Sequence, residues 1–376
     1  MQTKLHKTRG KSQPVYRQIV ELLRKEIQGQ QLRHGEYLPP IHQLAKQWDV
    51  GRSTIHAALK SLEEDGLVNC NTEWGKGPVV LGSAEKTKVL TILFVRWSRI
   101  AQFLALEDGV RKYFSQHKPS TEVRTVDASE NLSLYVDTIR HAPDTADGII
   151  LYPWDTKEFN ETSSEIIRLG VKVVFVDRTI SDVEANSVAI DHFRGSYQAT
   201  KHLIETHHIP VYFFGNTVGP SSCRQRYCGY IEAMHEYGYH DDHGKFVHDL
   251  PQPEAQLAGL TSRHWVRNLE IDAEQFLANL PQQNKLSVFA INDDAALALY
   301  NTATKRGLTV GRDIFLMGFG DRPFCETLPV PLSSVSQFDE RTGYEAAKVL
   351  HKTISGDRQT HLVLQPELKI RKSSTG

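Results

Sequence analysis

The chain has 376 residues, of which 40% are hydrophobic and 24% are charged, a composition that excludes a largely disordered protein and favours two or more domains. The net charge of -1 hides an asymmetry, because residues 1–88 contain 14 Lys/Arg and 9 Asp/Glu, a net charge of +5, and the remainder carries -6. A basic segment on an acidic body is typical of a polyanion-binding domain, and chance variation is the alternative.

The cysteines and the first residues indicate a cytoplasmic protein. Four cysteines in a chain of this length do not make a disulfide framework, which predicts reduced thiols. The basic first 13 residues are followed by no apolar segment, so no secretory signal is expected. The longest apolar run, at 89–95, is far below the ~20 residues that a membrane-spanning helix needs, and it predicts a buried strand.

The first segment has helical periodicity. One apolar face is predicted for a helix that ends near Gly29, formed by Val15, Ile19, Leu22, Leu23 and Ile27. A short helix carrying Ile41, Leu44, Ala45 and Trp48 follows. After the break at 49–51 comes a third helix, with Ile55, Ala58, Leu59 and Leu62 facing inward and a stop at Gly66. Two short helices joined by a turn that contains Gly are the helix-turn-helix pattern.

A β-hairpin is predicted directly after the third helix. Leu67-Val68 begins a strand, residues 71–77 are rich in turn residues, and 78–81 return as the partner strand. The hairpin completes a winged helix-turn-helix domain over residues 1–81.

This segment resembles the winged-helix domain of the GntR family of bacterial repressors, across about residues 14–81. The resemblance rests on four pieces in the family order: LRHGEYLPP at 32–40, VGRSTIHAAL at 50–59, LEEDGLV at 62–68 and the wing GKG at 75–77. Each piece alone is weak, and their order makes the match specific. The resemblance implies binding to double-stranded DNA.

Candidate DNA contacts come from the start of the third helix and from the wing. Arg52 is expected to contact a base, since a guanidinium bonds both O6 and N7 of guanine. Ser53 and Thr54 are expected at a phosphate or at the helix cap. His42 and His56 stand where the family usually has arginine. Two wing residues complete the set as phosphate or minor-groove contacts, Lys76 and Gly75. The alternative is that these cations are simply solvated.

Strands and helices alternate after a short polar linker, which we place at 82–88. Nearly continuous apolar strands separated by amphipathic helices predict parallel sheets covered on both faces. The alternation restarts at SVAI, 187–190, and two successive doubly wound halves would form two lobes with a cleft between them. The predicted fold class is therefore α/β, a winged helix-turn-helix followed by a two-lobed parallel-sheet effector domain over 89–376.

The second segment resembles the effector domain of the LacI/GalR repressors, which is similar to the periplasmic sugar-binding proteins. The matching pieces are VFVDR at 174–178, SVAIDHFRGSYQATKHLIE at 187–205, SSCRQRYCGYIEAM at 221–234, FAINDDAALALYN at 289–301, FLMGFGD at 315–321 and LSSVSQ at 332–337. They occur in the family order. The resemblance implies a sugar or sugar derivative as the effector.

Polar residues at strand ends and helix starts are the candidate effector contacts. Carboxylates, amides and guanidinium groups bind sugar hydroxyls, and an aromatic face packs under the ring. The resemblance implies that the first contacts are Asp177, Arg226, Asn292 and Gln337, and that the second are Asp191, Asp321, Phe103 and Trp154. As alternatives, the Asp and Asn residues would cap the following helix and Arg226 would form a surface ion pair.

Other constellations favour no catalyst, metal or cofactor. Histidines crowd residues 235–248 without a compact ligand spacing, and a solvated turn is the preferred interpretation. Cys223 and Cys228 lack the second pair that a zinc site needs. The short Gly318-Phe319-Gly320 is no dinucleotide fingerprint, and no nucleophile has an evident base.

These features predict a DNA-binding transcriptional repressor that acts as a homodimer, because two-fold symmetry lets a protein read a palindromic pair of half-sites. A small molecule between the lobes would change its affinity for operator DNA. An enzyme of carbohydrate metabolism with a fused DNA-binding domain is the alternative. A solute-binding protein for transport would need an export signal and no winged helix.

Overall fold

The computed structural model describes residues 14–29, 31–70, 72, 76–81, 89–180, 182–240, 244–251, 262–280 and 285–376. The chain divides into two compact units, Met1–Val89 and Leu90–Gly376. The predicted linker at 82–88 lies outside the described residues.

The first unit has three helices and a two-stranded sheet: α1 Val15–Gln28, α2 Ile41–Gln47, α3 Arg52–Glu64, β1 Val68–Asn69 and β2 Val79–Val80. β1 and β2 are antiparallel, and Tyr37 adds an isolated bridge to Val79. The predicted inward residues of α3, Ile55, Ala58, Leu59 and Leu62, are at most 2% exposed. The turn between α2 and α3 holds Asp49 at φ 51°, a left-handed conformation that Asp tolerates better than most residues. The predicted winged helix-turn-helix is confirmed.

The second unit contains two six-stranded sheets. Its strands are β3 Thr91–Arg96, β4 Glu122–Asp127, β5 Gly148–Leu151, β6 Lys172–Asp177, β7 Asn186–Ile190, β8 Val211–Gly215, β9 Val247–Asp249, β10 Leu286–Ala290, β11 Ile314–Gly320, β12 Ser333–Ser336, β13 His361–Leu364 and β14 Glu367–Lys369. The sheet orders are β13-β7-β6-β5-β3-β4 and β14-β12-β11-β10-β8-β9. All pairs are parallel except β12 with β14. We call the halves built on these sheets the N-lobe and the C-lobe, respectively.

Helices cover both sheets. They are α4 Ala101–His117, α5 Leu132–Arg140, α6 Ala142–Thr145, α7 Lys157–Arg168, α8 His192–His207, α9 Ser221–Glu236, α10 Ser262–Asn279, α11 Asp293–Lys305, α12 Phe324–Thr327, α13 Asp339–Ile354 and α14 Lys372–Thr375. In α10 the buried residues Leu269, Ala273 and Phe276 recur at helical spacing and face the core. The predicted α/β class with parallel-sheet lobes is confirmed.

The expectation of two successive halves is wrong. β7, the predicted start of the second half, pairs in parallel with β6 of the N-lobe sheet. After completing β12 the chain returns to the N-lobe as α13 and β13, and β14 then joins the C-lobe sheet. The chain therefore crosses between the lobes at 190–192, 336–339 and 364–367. Alternation of strands and helices does not specify which sheet each strand joins.

α13 is seated on α4 by direct contact of the two backbones. A Cβ added at Gly109 would lie 1.9 Å from the carbonyl oxygen of Glu340, and one added at Gly343 would lie 2.0 Å from that of Leu106. Lys112 Nζ forms an ion pair with Glu340 Oε1 at 2.6 Å. Because α13 begins directly after a crossing, this contact fixes one of the three connections between the lobes.

Gly109→Ala should lower the free energy of unfolding, because the new methyl group cannot fit against a backbone carbonyl. The expected loss is about 1–3 kcal/mol, the usual cost of overpacking, and urea unfolding measures it. Ser115→Ala, on an exposed part of the same helix, should change stability by less than about 0.5 kcal/mol. Equal stabilities of the two variants would contradict the packing.

Candidate nucleic-acid interface and effector site

Most of the predicted DNA contacts line one groove in the first unit. It encloses about 630 Å³ between α2, the start of α3 and the wing. Five of the predicted residues line it, namely His42, Arg52, Ser53, His56 and Lys76, and all five are exposed. The turn before α3 and the hairpin after it therefore bring together side chains that lie up to 34 positions apart in the sequence (42 to 76).

Two predicted DNA contacts do not line this groove. Thr54 is half-buried, and its backbone amide donates to the carbonyl of Gly51 at 3.0 Å. Gly75 lies outside the described residues. No side chain caps the start of α3, so the predicted capping role of Ser53 and Thr54 is wrong, and Ser53 is left exposed at the groove.

The wing packs closely against the segment that precedes α2. A Cβ at Gly77 would lie 1.8 Å from the carbonyl oxygen of Leu38, so only glycine fits there. The Leu38 amide donates to the Pro78 carbonyl at 2.8 Å. Lys76 Nζ lies 5.4 Å from the centre of the Tyr37 ring, which is 52% exposed. Sequence reasoning missed Tyr37, since its neighbourhood depends on the bridge to the wing.

The groove is cationic. No Asp or Glu is among its described lining residues, which include Arg52 and Lys76. Burial raises the pKa of the Cys70 thiol to about 11, with a further contribution from Glu63, so this lining thiol is uncharged at neutral pH. Such a surface suits a phosphate backbone.

Four polar side chains meet at the junction of the two lobes. Asp177 ends β6 in the N-lobe, and Arg226 lies on α9 in the C-lobe. His192 and Gln337 lie at the first two crossings, and all four residues are at most 7% exposed. Three of them are predicted first contacts, whereas His192 was not predicted.

Arg226 is held by several acceptors. Its Nη1 donates to the Ile291 carbonyl at 2.7 Å, and its Nη2 donates to Gln337 Oε1 at 3.4 Å. Nε and Nη2 lie 3.3 and 3.2 Å from His192 Nδ1. The guanidinium carbon lies 3.8 Å from the centre of the Phe319 ring. The alternative of a surface ion pair is wrong for this residue, since Arg226 is buried.

Asp177 is a buried carboxylate in a strained backbone conformation, with φ 68°. Burial raises its pKa, but His192, Arg226 and Arg178 more than offset this and hold the pKa at about 2. Oδ1 lies 3.3 Å from His192 Nε2 yet accepts no hydrogen bond from the described residues. The site thus keeps an ionised oxygen with unused acceptor capacity.

Aromatic rings and a second arginine border this carboxylate. The Arg178 guanidinium carbon lies 4.5 Å from the centre of the Tyr152 ring and 5.4 Å from that of Trp154. Arg178 Nε donates to Ser222 Oγ at 3.0 Å, a bond between the lobes. Trp154 Nε1 is buried without an acceptor among the described residues. Trp154 therefore offers a donor next to Arg178, the residue that follows Asp177.

The remaining candidates occupy structural positions. Asp191 accepts from the Arg194 amide at 2.9 Å and caps α8, and Asn292 accepts from the Ala295 amide at 2.8 Å and caps α11. Asp321 pairs with Arg371 at 2.8 Å. Phe103 is 3% exposed and packs edge-on against Tyr152. The alternative of helix capping thus holds for Asp191 and Asn292, and a ligand contact by any of these residues stays a prediction.

A cavity of about 660 Å³ opens beside the polar cluster, between α4, the end of β11 and the start of α13. Asp321 and Arg322 line one wall, and Asp339 lines another. Burial raises the pKa of Asp339 to about 8, and the carboxylates of Asp177 and Asp293 add to this shift. Asp339 is therefore largely protonated at neutral pH, and its carboxyl group can donate a hydrogen bond.

Within the described residues, no group of three His, Cys, Asp or Glu side chains could hold a metal ion. All four cysteines are free thiols. None of the described helices combines the length and apolar character required to cross a membrane.

Two protein-family models match the chain, one in each unit. Residues 15–76 match the bacterial regulatory proteins of the gntR family. Residues 200–374 match the periplasmic binding protein-like domain. The predicted combination of a GntR-type winged helix with a periplasmic-binding-protein-like domain is confirmed.

Similar curated proteins are transcriptional repressors. The arabinose metabolism transcriptional repressor of Geobacillus stearothermophilus is 25% identical over 97% of this chain and 98% of its own length. The ribose operon repressor of Haemophilus influenzae is 23% identical over 72% of this chain and 76% of its own length. These relatives agree with the regulator predicted from the sequence.

Solved structures of regulators share the fold. The transcription regulator CcpA of Lactococcus lactis superposes with a TM-score of 0.64 at 21% identity, covering 76% of this chain and 100% of that one. A LacI family regulator from Enterococcus faecium with bound ribose gives a TM-score of 0.60 at 21% identity, covering 76% and 98%.

Asp339→Asn should stabilise the protein more at pH 8 than at pH 5. The folded protein keeps the Asp339 proton up to about pH 8, whereas the unfolded chain releases it near pH 4, the ordinary pKa of Asp being about 3.9. Wild-type stability therefore falls as the pH rises between these values, and asparagine removes this term. Urea unfolding at both pH values measures the difference.

The exposed carboxylate of Asp108 supplies the control. Asp108→Asn should shift stability by a similar small amount at pH 5 and pH 8. A pH-independent effect of Asp339→Asn would show that the folded protein does not retain this proton.

Proposed function

We propose that this chain, in which a GntR-type winged helix precedes a periplasmic-binding-protein-like domain, is a cytoplasmic transcriptional repressor controlled by a sugar or sugar derivative. The observation that carries the proposal is the pairing of two surfaces in one chain. One is the cationic groove around Arg52, and the other is the lobe junction around Asp177 with its unused hydrogen-bonding atoms. We propose no catalytic activity and no cofactor.

The groove supports binding to double-stranded operator DNA. Arg52 lies at the first position of α3, where a recognition helix delivers side chains to base edges in the major groove. Its guanidinium would bond guanine, while Ser53, Lys76 and the half-buried Thr54 would contact phosphates. His42 and His56 would add polar contacts at the flanks of Arg52, and the wing around Gly75 would approach the backbone.

One recognition helix reads only a few base pairs, so a single copy would give little sequence specificity. We therefore propose a homodimer whose two winged helices bind the halves of a palindromic operator. Effector binding would change the separation of the two helices by changing the closure of the lobes.

The lobe junction supports a ligand rich in hydroxyl groups. A hydroxyl donates one hydrogen bond and accepts others, so one ligand class satisfies both the acceptor Asp177 Oδ1 and the donor Trp154 Nε1. Buried polar atoms without partners cost about 1–3 kcal/mol each, which a bound polyol would recover. The aromatic face of Trp154 would pack against the apolar face of a sugar ring.

The other candidate contacts would complete this site. Arg226 and Gln337 would bond hydroxyls on the C-lobe side, and Asn292 would contribute the part of its amide that the helix cap leaves available. Asp321 lines the adjacent cavity, and Asp191 and Phe103 would act by holding the surrounding elements. Two relatives are repressors of arabinose metabolism and of the ribose operon, and one similar solved structure contains bound ribose. Arabinose and ribose are neutral sugars, which supports this ligand class.

The sugar would relieve repression by shifting a conformational equilibrium. A ligand moves such an equilibrium only through its different affinities for the two states. Contacts to both lobes, such as Asp177 on one and Arg226 on the other, exist together only when the lobes are closed. A sugar that bridges them would favour closure and release the operator.

Arg52→Ala should weaken binding to the DNA upstream of the protein's own gene and relax its sequence preference. The expected loss is about 1–3 kcal/mol for each lost guanine contact, roughly a 5- to 150-fold change in affinity. Fluorescence anisotropy at fixed salt, against specific and unrelated duplexes, measures it. Lys25→Ala, an exposed cation on α1 outside the groove, is the control. If the wild-type protein retards none of these duplexes, the proposed function is wrong.

A panel of pentoses, hexoses and uronic acids should contain a sugar that raises the melting temperature of the wild-type protein, because a ligand that binds only the folded state stabilises it. Asp177→Asn should reduce this shift at least severalfold, while Asp182→Asn, an exposed carboxylate in the same loop region, should leave it unchanged. The sugar should be recovered chemically intact, which distinguishes a sensor from an enzyme.

A further inference from the structure

His192 lies where the first crossing between the lobes ends. β7 of the N-lobe stops at Ile190, Asp191 caps the next helix, and His192 is the first residue of α8. The side chain is 1% exposed although it follows directly on a connection between lobes. Burial of a histidine at this point requires partners for both ring nitrogens.

The partners of His192 belong to different lobes. Nδ1 faces the Nε and Nη2 groups of Arg226 on the C-lobe, at 3.3 and 3.2 Å. Nε2 lies 3.0 Å from the backbone carbonyl oxygen of Asp177 and 3.3 Å from its Oδ1, on the N-lobe. A guanidinium only donates hydrogen bonds, so Nδ1 must accept, and the neutral ring carries its proton on Nε2, which donates to the Asp177 carbonyl.

This arrangement fixes both ends of the candidate effector site. The guanidinium of Arg226 has five N–H groups, and four are directed at His192, Ile291 and Gln337. Phe319 covers one face of the guanidinium and also packs against the His192 ring, with ring centres 5.5 Å apart. One N–H of Nη1 remains for a ligand.

On the N-lobe side, the bond from His192 holds the carbonyl of Asp177, whose backbone is strained at φ 68°. That conformation persists only where its surroundings impose it. The direction of the Asp177 carboxylate, and therefore the position of Oδ1, depends on it.

We propose that His192 is a positioning residue for the effector site, which holds the Arg226 guanidinium at a fixed place relative to the Asp177 carboxylate across the lobe junction. The proposal rests on the proposed effector site and deepens it. His192 does not have to contact the sugar, because it acts by setting the distance between the two groups that do.

Three substitutions separate the two bonds of His192 from the packing of its ring. His192→Phe keeps a ring beside Phe319 and removes both bonds. His192→Asn places an amide oxygen near the position of Nδ1 and preserves an acceptor for Arg226. His192→Gln reaches the position of Nε2, which preserves a donor to the Asp177 carbonyl but leaves Arg226 without that acceptor. His202→Phe is the control, since His202 Nε2 contacts Ser374 Oγ at 3.0 Å within the C-lobe.

Isothermal titration with L-arabinose, D-ribose and the panel sugar that most stabilises the wild type measures the effect. We expect His192→Phe and His192→Gln to weaken sugar binding about tenfold or more, since both leave the Arg226 guanidinium without its acceptor. His192→Asn should lose less affinity than either, because it keeps that acceptor and gives up only the bond to the Asp177 carbonyl, and His202→Phe should bind sugar as the wild type does, whatever its melting temperature.

The outcomes distinguish the two proposals. If the wild type binds no sugar of the panel, the proposed effector and the role of His192 both fail. If the wild type binds and His192→Phe binds equally well, only the role of His192 fails. Equal losses for the Asn and Gln variants would show that the acceptor for Arg226 is not the important bond, which also overturns the proposal.

A spectroscopic measurement on the ligand-free protein tests the bond pattern directly. In protein labelled with 15N-histidine at pH 8, the signal that disappears in His192→Asn should be that of a neutral ring protonated on Nε2. A ring protonated on Nδ1 would contradict the bond to Arg226 and overturn the proposal, even if the Phe or Gln variant failed to fold.

Discussion

The second unit depends on one constraint: the charged and polar groups buried where the lobes meet must form hydrogen bonds and ion pairs with one another across the junction. Asp177 comes from one lobe and Arg226 from the other, and both are almost completely buried. Removing either group from water is costly unless a partner is held in place. His192 provides that partner at a connection between the lobes, so the arrangement of the lobes and the geometry of the site are set together. A ligand that changes one must change the other.

The same crossings join the two lobes through short segments. α13 starts at the second crossing and is locked onto α4 through backbone contact at Gly109 and Gly343, so the N-lobe includes residues from both ends of the unit. The two lobes are therefore joined by three short segments rather than by one domain linker. Burial of Asp339, at the same crossing, raises its pKa, and the nearby carboxylates of Asp177 and Asp293 add to the shift. Charged groups near the junction thus raise the pKa of a residue that lines the adjacent cavity.

The first unit is simpler, because a small apolar core positions the residues of the cationic groove. The inward residues of α3 fix the helix, and the close packing at Gly77 brings the wing back against the segment before α2. Arg52 and Lys76 then lie on one groove without an acidic residue among its described lining. Few contacts are needed to build this surface, which is why a local sequence pattern was sufficient to predict it.

The sequence by itself determined the two domain types, most of their helices and strands and most residues of the cationic groove, because periodicity and turn chemistry are local. It also pointed to Asp177 and Gln337, which lie at strand ends, and the family resemblance pointed to Arg226. Only the tertiary structure decided that β7 and α13 belong to the N-lobe and that His192 bridges the lobes. These facts depend on contacts between segments that are far apart in the chain, and a local sequence pattern does not specify such contacts.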